Sequence, residues 1–291
     1  MAKAAPFSCP FRYACSMPEI PELEAIRGYF TEQLTGKTIE SADARIPFVF
    51  RTPAQEIRET LIGDTFGPVQ RHGKFLLFPL ASERVLTINP MLTGRFQYVD
   101  PKTKLRAKTC LVLGIEGGRS LRYSDDRVMG KVYLVPLALM NTIPNWATNG
   151  PDLLDPALTE DEWVARTKKY RGQIKSVITN AEFVQGIGNA YSDEILWEAQ
   201  VNPYITRTKL SEEQLRSIYR AALAVMAWAT PLVAGAMVKD GVLDYEERRD
   251  FMRVHRLGGK PCPRCGTTIT EITANQRITS FCRACQPEIP A

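Results

Sequence analysis

The sequence predicts an α+β protein. A β-rich first half is led by one helix, and a helical second half is closed by a metal-binding hairpin. Three observations carry this. Short runs of β-branched and aromatic residues recur between glycine turns up to about residue 135. The hydrophobic period becomes helical beyond about residue 161. The last stretch carries two Cys-x-x-Cys pairs, Cys262 with Cys265 and Cys282 with Cys285, sixteen residues apart.

The elements follow in order. Leu23, Ile26, Phe30 and Leu34 fall on one helical stripe that Gly36 stops. Pro21 and Glu22 suit the first turn, where proline forfeits no hydrogen bond and an acid meets the positive end of the dipole. β-like runs cover 46–50, 75–80, 85–88, 95–99, 109–115, 120–123 and 131–135, punctuated at Gly73, Gly94, Gly117, Gly118 and Gly130. Residues 141–160, with Pro144, Pro151 and Pro156 among asparagines, read as a linker. Helices are expected over 163–169, 174–179, 190–199 and 211–228, the last capped by Ser211 with Gln214 three residues on. The expected boundaries are 1–16 for an extension, 17–140 for the β-rich domain, 141–160 for the linker, 161–257 for the helical domain and 258–287 for the hairpin.

The composition bounds the partners. The chain has 291 residues, 44% hydrophobic and 24% charged, enough for two cores. A net charge of +5 is compatible with nucleic-acid binding without establishing it. Four of the seven cysteines are claimed by a metal; Cys9, Cys15 and Cys110 have no evident partner, which suits a reducing compartment. No apolar run reads as a bilayer span. Residues 1–16 carry Lys3 and Arg12 but no apolar core. They are read as a disordered extension, or as the product of a start codon assigned too early, not as a secretory signal.

Five groups of residues carry chemistry. The cysteine spacing is that of a tetrathiolate Zn²⁺ site around a short β-hairpin: either a purely structural knuckle, or one that also fixes Arg277 near its tip to grip a phosphate. Met17-Pro18-Glu19-Ile20-Pro21-Glu22 sets two acids at a helix start. They serve either as dipole partners or, if the chain starts at Pro18, as acid and base beside a secondary amine that can form an iminium. Gly186-Ile187-Gly188-Asn189 is a tight turn into a helix: either a plain connection or a phosphate site made of backbone N–H groups and the Asn189 amide. His72-Gly73-Lys74 ends a hairpin with a lysine. Asp125-Asp126-Arg127-Val128-Met129-Gly130 presents an arginine and an apolar residue two apart, a wedge for a base stack or a plain surface turn.

The Pro18-Glu19-Ile20-Pro21-Glu22 start, the Gly73-Lys74 hairpin, the Gly186–Asn189 helix entry and the terminal cysteines, in that order from Met17 to about Gln286, resemble the formamidopyrimidine-DNA glycosylase/endonuclease VIII family. The resemblance implies a β-sandwich-like N-terminal domain and a helix–two-turns–helix element around Gly186 and Gly188 that grips the DNA backbone. It implies that Pro18 attacks C1′ of a damaged nucleotide, that Glu19 moves protons, that Glu22 supports the site and that Lys74 contacts the lesion or its phosphate. Asn189 and Arg277 would clamp phosphates. Leu92, Arg127 and Met129 would fill the space left by the extruded base. One structural zinc would sit on Cys262, Cys265, Cys282 and Cys285. The implied protein is a bifunctional glycosylase and abasic-site lyase, removing formamidopyrimidines and 8-oxoguanine ahead of oxidised pyrimidines, with a non-catalytic damage-binding protein as the rival. Its partner would be damaged double-stranded DNA. It would be a monomer without membrane association, bacterial and cytoplasmic, nucleoid-associated when bound to DNA.

Three positions depart from the family pattern. Leu92 stands where methionine is usual, Met129 stands where phenylalanine is usual, and residues 233–245 do not reproduce the loop that caps an oxidised purine. If residues 1–16 remain attached, the Pro18 nitrogen is a tertiary amide without a nucleophilic lone pair, so the working protein is expected to begin at Pro18.

Overall fold

The computed structural model describes residues 17–239, 242–244, 249–274 and 277–288. The expected extension lies outside them. Helix α1 (Ile20–Leu34) buries Leu23, Ile26, Phe30 and Leu34 almost completely. Its start is fixed by the Glu19 N–H, which donates to Glu22 Oε2 at 3.0 Å. After it come β1 (Ile39–Ala44), α2 (Ala54–Leu61), β2 (Gln70–His72), β3 (Phe75–Pro79), β4 (Arg84–Asn89), β5 (Gly94–Val99), β6 (Thr109–Ile115), β7 (Arg119–Asp125) and β8 (Lys131–Pro136). Two antiparallel sheets result, one in the order β2-β3-β4-β8 and one containing β1-β6-β7-β5. Alternate residues of both sheets meet in one core with α1. Phe78 of the first sheet lies 6.4 Å from Phe96 of the second, ring centre to ring centre. The run 46–50 is not a strand. Pro47–Val49 form a 3₁₀ turn, because Pro47 has no N–H for a ladder and its φ is fixed.

The second half is built from α3 (Glu160–Thr167), α4 (Ile174–Ile178), α5 (Asn189–Glu198) and α6 (Glu212–Met237). Ser211 and Gln214 form the expected capping box on α6. This helix passes through Pro231 and runs beyond the predicted end. By length and composition it is apolar enough to cross a bilayer, contrary to the sequence reading. It packs as a core helix, with Leu215 to Ala229 in the helical core and Val233 and Met237 in the sandwich core.

After α6 the chain returns to the sandwich. Strands β9 (Val238–Lys239) and β10 (Val242–Asp244) extend the second sheet, with Leu243 opposite Tyr98 of β5 and fully buried. Residues expected in the helical domain therefore finish a sheet of the first. The segment read as a linker is fastened down. Met140, Ile143 and Trp146 cover the outer face of the first sheet over Phe75, Leu77, Val85 and Tyr133. Asp152 chelates the Arg71 guanidinium, Nη2 to Oδ1 at 2.7 Å, and accepts the Gly73 N–H at 2.8 Å. Glu24 takes Arg71 Nε at 2.6 Å. The closing hairpin pairs β11 (Thr270–Ala274) with β12 (Arg277–Phe281); its tip residues Asn275 and Gln276 lie outside the described residues.

Candidate active site at the junction of the two halves

Pro18 and Glu19 are buried where α1 begins, facing the N-terminus of α5. The Glu19 carboxylate caps that helix from the opposite half. It accepts N–H bonds from Gly188 at 2.7 Å, Ala190 at 2.9 Å and Tyr191 at 3.2 Å. Orphan donors of a helix start favour an anion, and for this carboxyl, 1% exposed, they act together with the Arg249 guanidinium 3.8 Å from Oε1. Both glycines of the turn are required. A Cβ on Gly188 would lie 2.4 Å from the Glu19 carboxyl carbon, and one on Gly186, whose φ is +101°, would lie 2.3 Å from Ile20 Cδ1.

Glu22 lies one helical turn further on and accepts the Tyr191 hydroxyl at 3.1 Å. Burial pushes its carboxyl above the usual carboxylate range; the Arg249 guanidinium, 3.4 Å away, pulls it back in part. Burial, aided by the charge of Glu22, likewise pushes the Tyr191 phenol well above its ordinary value, so it stays a donor. Lys74 extends from the β2–β3 hairpin into the same cluster. Burial lowers its ammonium, Arg277 and Arg249 lower it further, and Glu19 and Glu22 raise it. By residue surface Lys74 is only half-buried, so the depth belongs to its ammonium end. A cavity of about 330 Å³ opens beside it, lined by Met17, Asn89, Met91, Lys131 and Gln185 among others.

The zinc hairpin is bolted to α5. Asn189 Nδ2 donates to the Ile278 carbonyl at 2.9 Å, and Lys175 Nζ reaches the same carbonyl, Thr279 Oγ1 and Asp193. The amide expected to clamp a phosphate therefore also ties helix to hairpin. Arg277 is exposed at the first position of β12 and close enough to Lys74 to lower it. The four cysteine sulfurs lie within 4.8 Å of one another, with Cys265–Cys282 at 3.5 Å and Cys262–Cys285 at 3.9 Å. Four Zn–S bonds of about 2.3 Å in a tetrahedron require about 3.8 Å between sulfurs, so the donor set fits one Zn²⁺. The Trp197 indole N–H donates to Cys262 Sγ at 3.4 Å, as a partner behind a metal ligand does.

Comparison with known proteins settles the lineage. Family models described as the formamidopyrimidine-DNA glycosylase N-terminal domain, its H2TH domain and a zinc finger found in FPG and IleRS match residues 17–132, 149–239 and 259–287. A formamidopyrimidine-DNA glycosylase of Listeria innocua is 32% identical over 93% of this chain and 100% of its own length. The chain belongs to the formamidopyrimidine-DNA glycosylase family. One of Desulforamulus reducens is also 32% identical, over 93% of this chain and 99% of its own. A solved complex between the Lactococcus lactis Fpg and an abasic site containing DNA has the same fold. Its TM-score is 0.84 at 24% identity, covering 93% of this chain and 100% of that one. The zinc is thus the structural ion of a family finger.

The remaining positions carried over from the family stand apart from the Glu19 cluster. Arg127 and Met129 project from the β7–β8 turn, Met129 at 41% exposure. That turn is fixed by buried Asp125, which accepts the Thr93 hydroxyl and the N–H groups of Arg127 at 3.2 Å and Gly130 at 2.6 Å. Thr93 ends the turn bearing Leu92, so the two apolar tips form one unit. Met91, not Leu92, lines the cavity. Two residues of the cluster escaped sequence reasoning. Tyr191 sits two residues beyond Asn189 on a helix whose inner face was legible, so a turn-by-turn projection finds it. Arg249 had no signal, since it lies in a run of charges that reads as a solvated surface.

Proposed function

We propose that this chain is a bifunctional DNA glycosylase and abasic-site lyase of base excision repair, acting as a cytoplasmic monomer on damaged double-stranded DNA. What carries the reading is the Glu19 carboxylate, buried against the α5 N-terminus beside Pro18 and in electrostatic reach of Lys74. In the working protein Pro18 is the first residue. Its lone pair attacks C1′ of the extruded nucleotide and the N-glycosidic bond breaks, the base leaving with a proton from water. Glu19 takes up the proton that Pro18 loses and hands it to the deoxyribose ring oxygen, which opens the sugar to the iminium. The iminium acidifies C2′; loss of that proton expels the 3′ phosphate, and a second elimination expels the 5′ phosphate. Glu22 steadies Glu19 through its backbone N–H. Lys74, Asn189 and Arg277 bind phosphates flanking the lesion, and Leu92 with Met91, Arg127 and Met129 occupies the gap left in the stack. Purine lesions lead, because the curated relatives are named for formamidopyrimidine and the three family models span the same chain. Bound protein would be found with the nucleoid.

Borohydride trapping on a duplex with an abasic site tests this. Protein beginning at Pro18 is expected to give a covalent adduct, mapped by mass to the N-terminal peptide, that the same chain acetylated on the Pro18 nitrogen lacks. Tight binding by the processed chain with no adduct would replace the enzyme with the rival damage-binding protein.

A further inference from the structure

We infer that Arg249 is a positioning residue for the nucleophile, holding Glu22 in place and keeping the amine of Pro18 unprotonated near neutral pH. This rests on the reading of Pro18 given above. Arg249 Nη2 lies 3.4 Å from Glu22 Oε1, 3.8 Å from Glu19 Oε1 and 3.5 Å from the carbonyl oxygen of Met17, to which it donates. That carbonyl belongs to the peptide bond that ends at the Pro18 nitrogen. The guanidinium is therefore no more than about 6 Å from the nitrogen. Its own chain is anchored. Phe251 packs against Trp228 at 5.6 Å between ring centres, the Met252 N–H closes a turn on the Arg249 carbonyl at 3.2 Å, and Glu194 accepts the N–H groups of Arg253, Val254 and His255.

The charges around this point come from every packed element. Glu19 and Glu22 come from the start of α1, Lys74 from the β2–β3 hairpin, Tyr191 from α5, Arg277 from β12 and Arg249 from the segment after β10. Two carboxylates beside an amine favour its ammonium form. Glu19 adds little to that favour, since its carboxylate is already met by three α5 amides. Lys74 is a cation that burial weakens. Arginine stays charged at every working pH. Once Met17 is removed, the Arg249 charge repels the ammonium of Pro18 and so favours the neutral, nucleophilic amine.

The test is the pH profile of borohydride trapping on an abasic-site duplex, with protein beginning at Pro18. Wild type is expected to reach half-maximal rate at or below about pH 8, the ordinary α-amino range. Arg249→Gln is expected to move that midpoint up by on the order of one pH unit, with about tenfold slower trapping at pH 7 that recovers at high pH. Arg249→Lys restores the midpoint, and affinity for the duplex stays within about threefold. An unshifted midpoint, a loss equal at all pH values, or a loss that follows weakened binding overturns the inference while leaving the enzyme reading intact. Wild type that never traps overturns both. Should the glutamine variant not fold, ¹⁵N-proline NMR of wild type reads the amine directly, and a pKa well above the α-amino range overturns the inference.

Discussion

At the residue scale the site depends on atoms that are missing as much as on those present. Gly188 lets the Glu19 carboxylate lie against the α5 amides; a methyl there meets that carboxylate at 2.4 Å. Gly188→Ala is expected to displace it by about 1 Å and slow trapping by about a hundredfold. Stability should fall by only about 1–2 kcal/mol, because the rest of the turn is unchanged. Single-turnover trapping beside urea unfolding checks this, and equal losses in both would mean that Glu19 serves the fold alone. Pro18, Glu19, Glu22, Lys74 and Asn189 were legible because each sits at a chain landmark: a start, a hairpin tip or a helix entry. Arg249 was not. Glu246, Glu247, Arg248, Arg249 and Asp250 are alike as a string of charges, and only packing decides which side chain turns inward.

At the element scale the seam between β2 and the covering segment responds to acid. His72 stacks on Trp146 at 4.3 Å, and its Nε2 faces Gln185 Nε2 at 3.0 Å. The amide nitrogen only donates, so the ring nitrogen accepts and the neutral tautomer carries its proton on Nδ1. Burial lowers the His72 pKa below its ordinary value of about 6.5. The unfolded chain then binds more protons than the native one just below that value, so stability is lost as the pH falls through about 6.5. His72→Gln is expected to flatten the fall in Tm between pH 7 and pH 5; an unchanged slope would place the acid response elsewhere. Strands β3 to β8 were readable as short runs of β-branched and aromatic residues between glycine turns, whereas β1 and the three-residue β2 were missed because neither carries such a run. Strands β9 and β10 were not readable, being two and three residues long; β10 forms against β5, far away in sequence, and β9 only against β10. Pro231 masked the end of α6 because tertiary packing on both cores outweighs the one backbone bond that proline removes.

At the scale of the whole molecule the finger and the helices form one body. Lys175 joins Asp193 at 2.6 Å, the Ile278 carbonyl at 3.0 Å and Thr279 Oγ1 at 2.9 Å. Cys265→Ser, or removal of zinc by a chelator, is expected to lower affinity for damaged duplex at least tenfold, because Asn189 and Arg277 lose their common support. Far-UV circular dichroism should change little, since the two large cores contain none of the four ligands. Global unfolding on chelation would instead make zinc a condition of the entire fold. Among the described residues the two halves also meet at several seams, including α6 on α1, Arg71 with Asp152, β10 on β5, and Glu19 on α5. Contacts at each of these seams oppose a change in the angle between the halves. On the proposed reading, the distortion that exposes the nucleotide falls mainly on the double helix, and weakly stacked, already loosened steps are accepted at least expense.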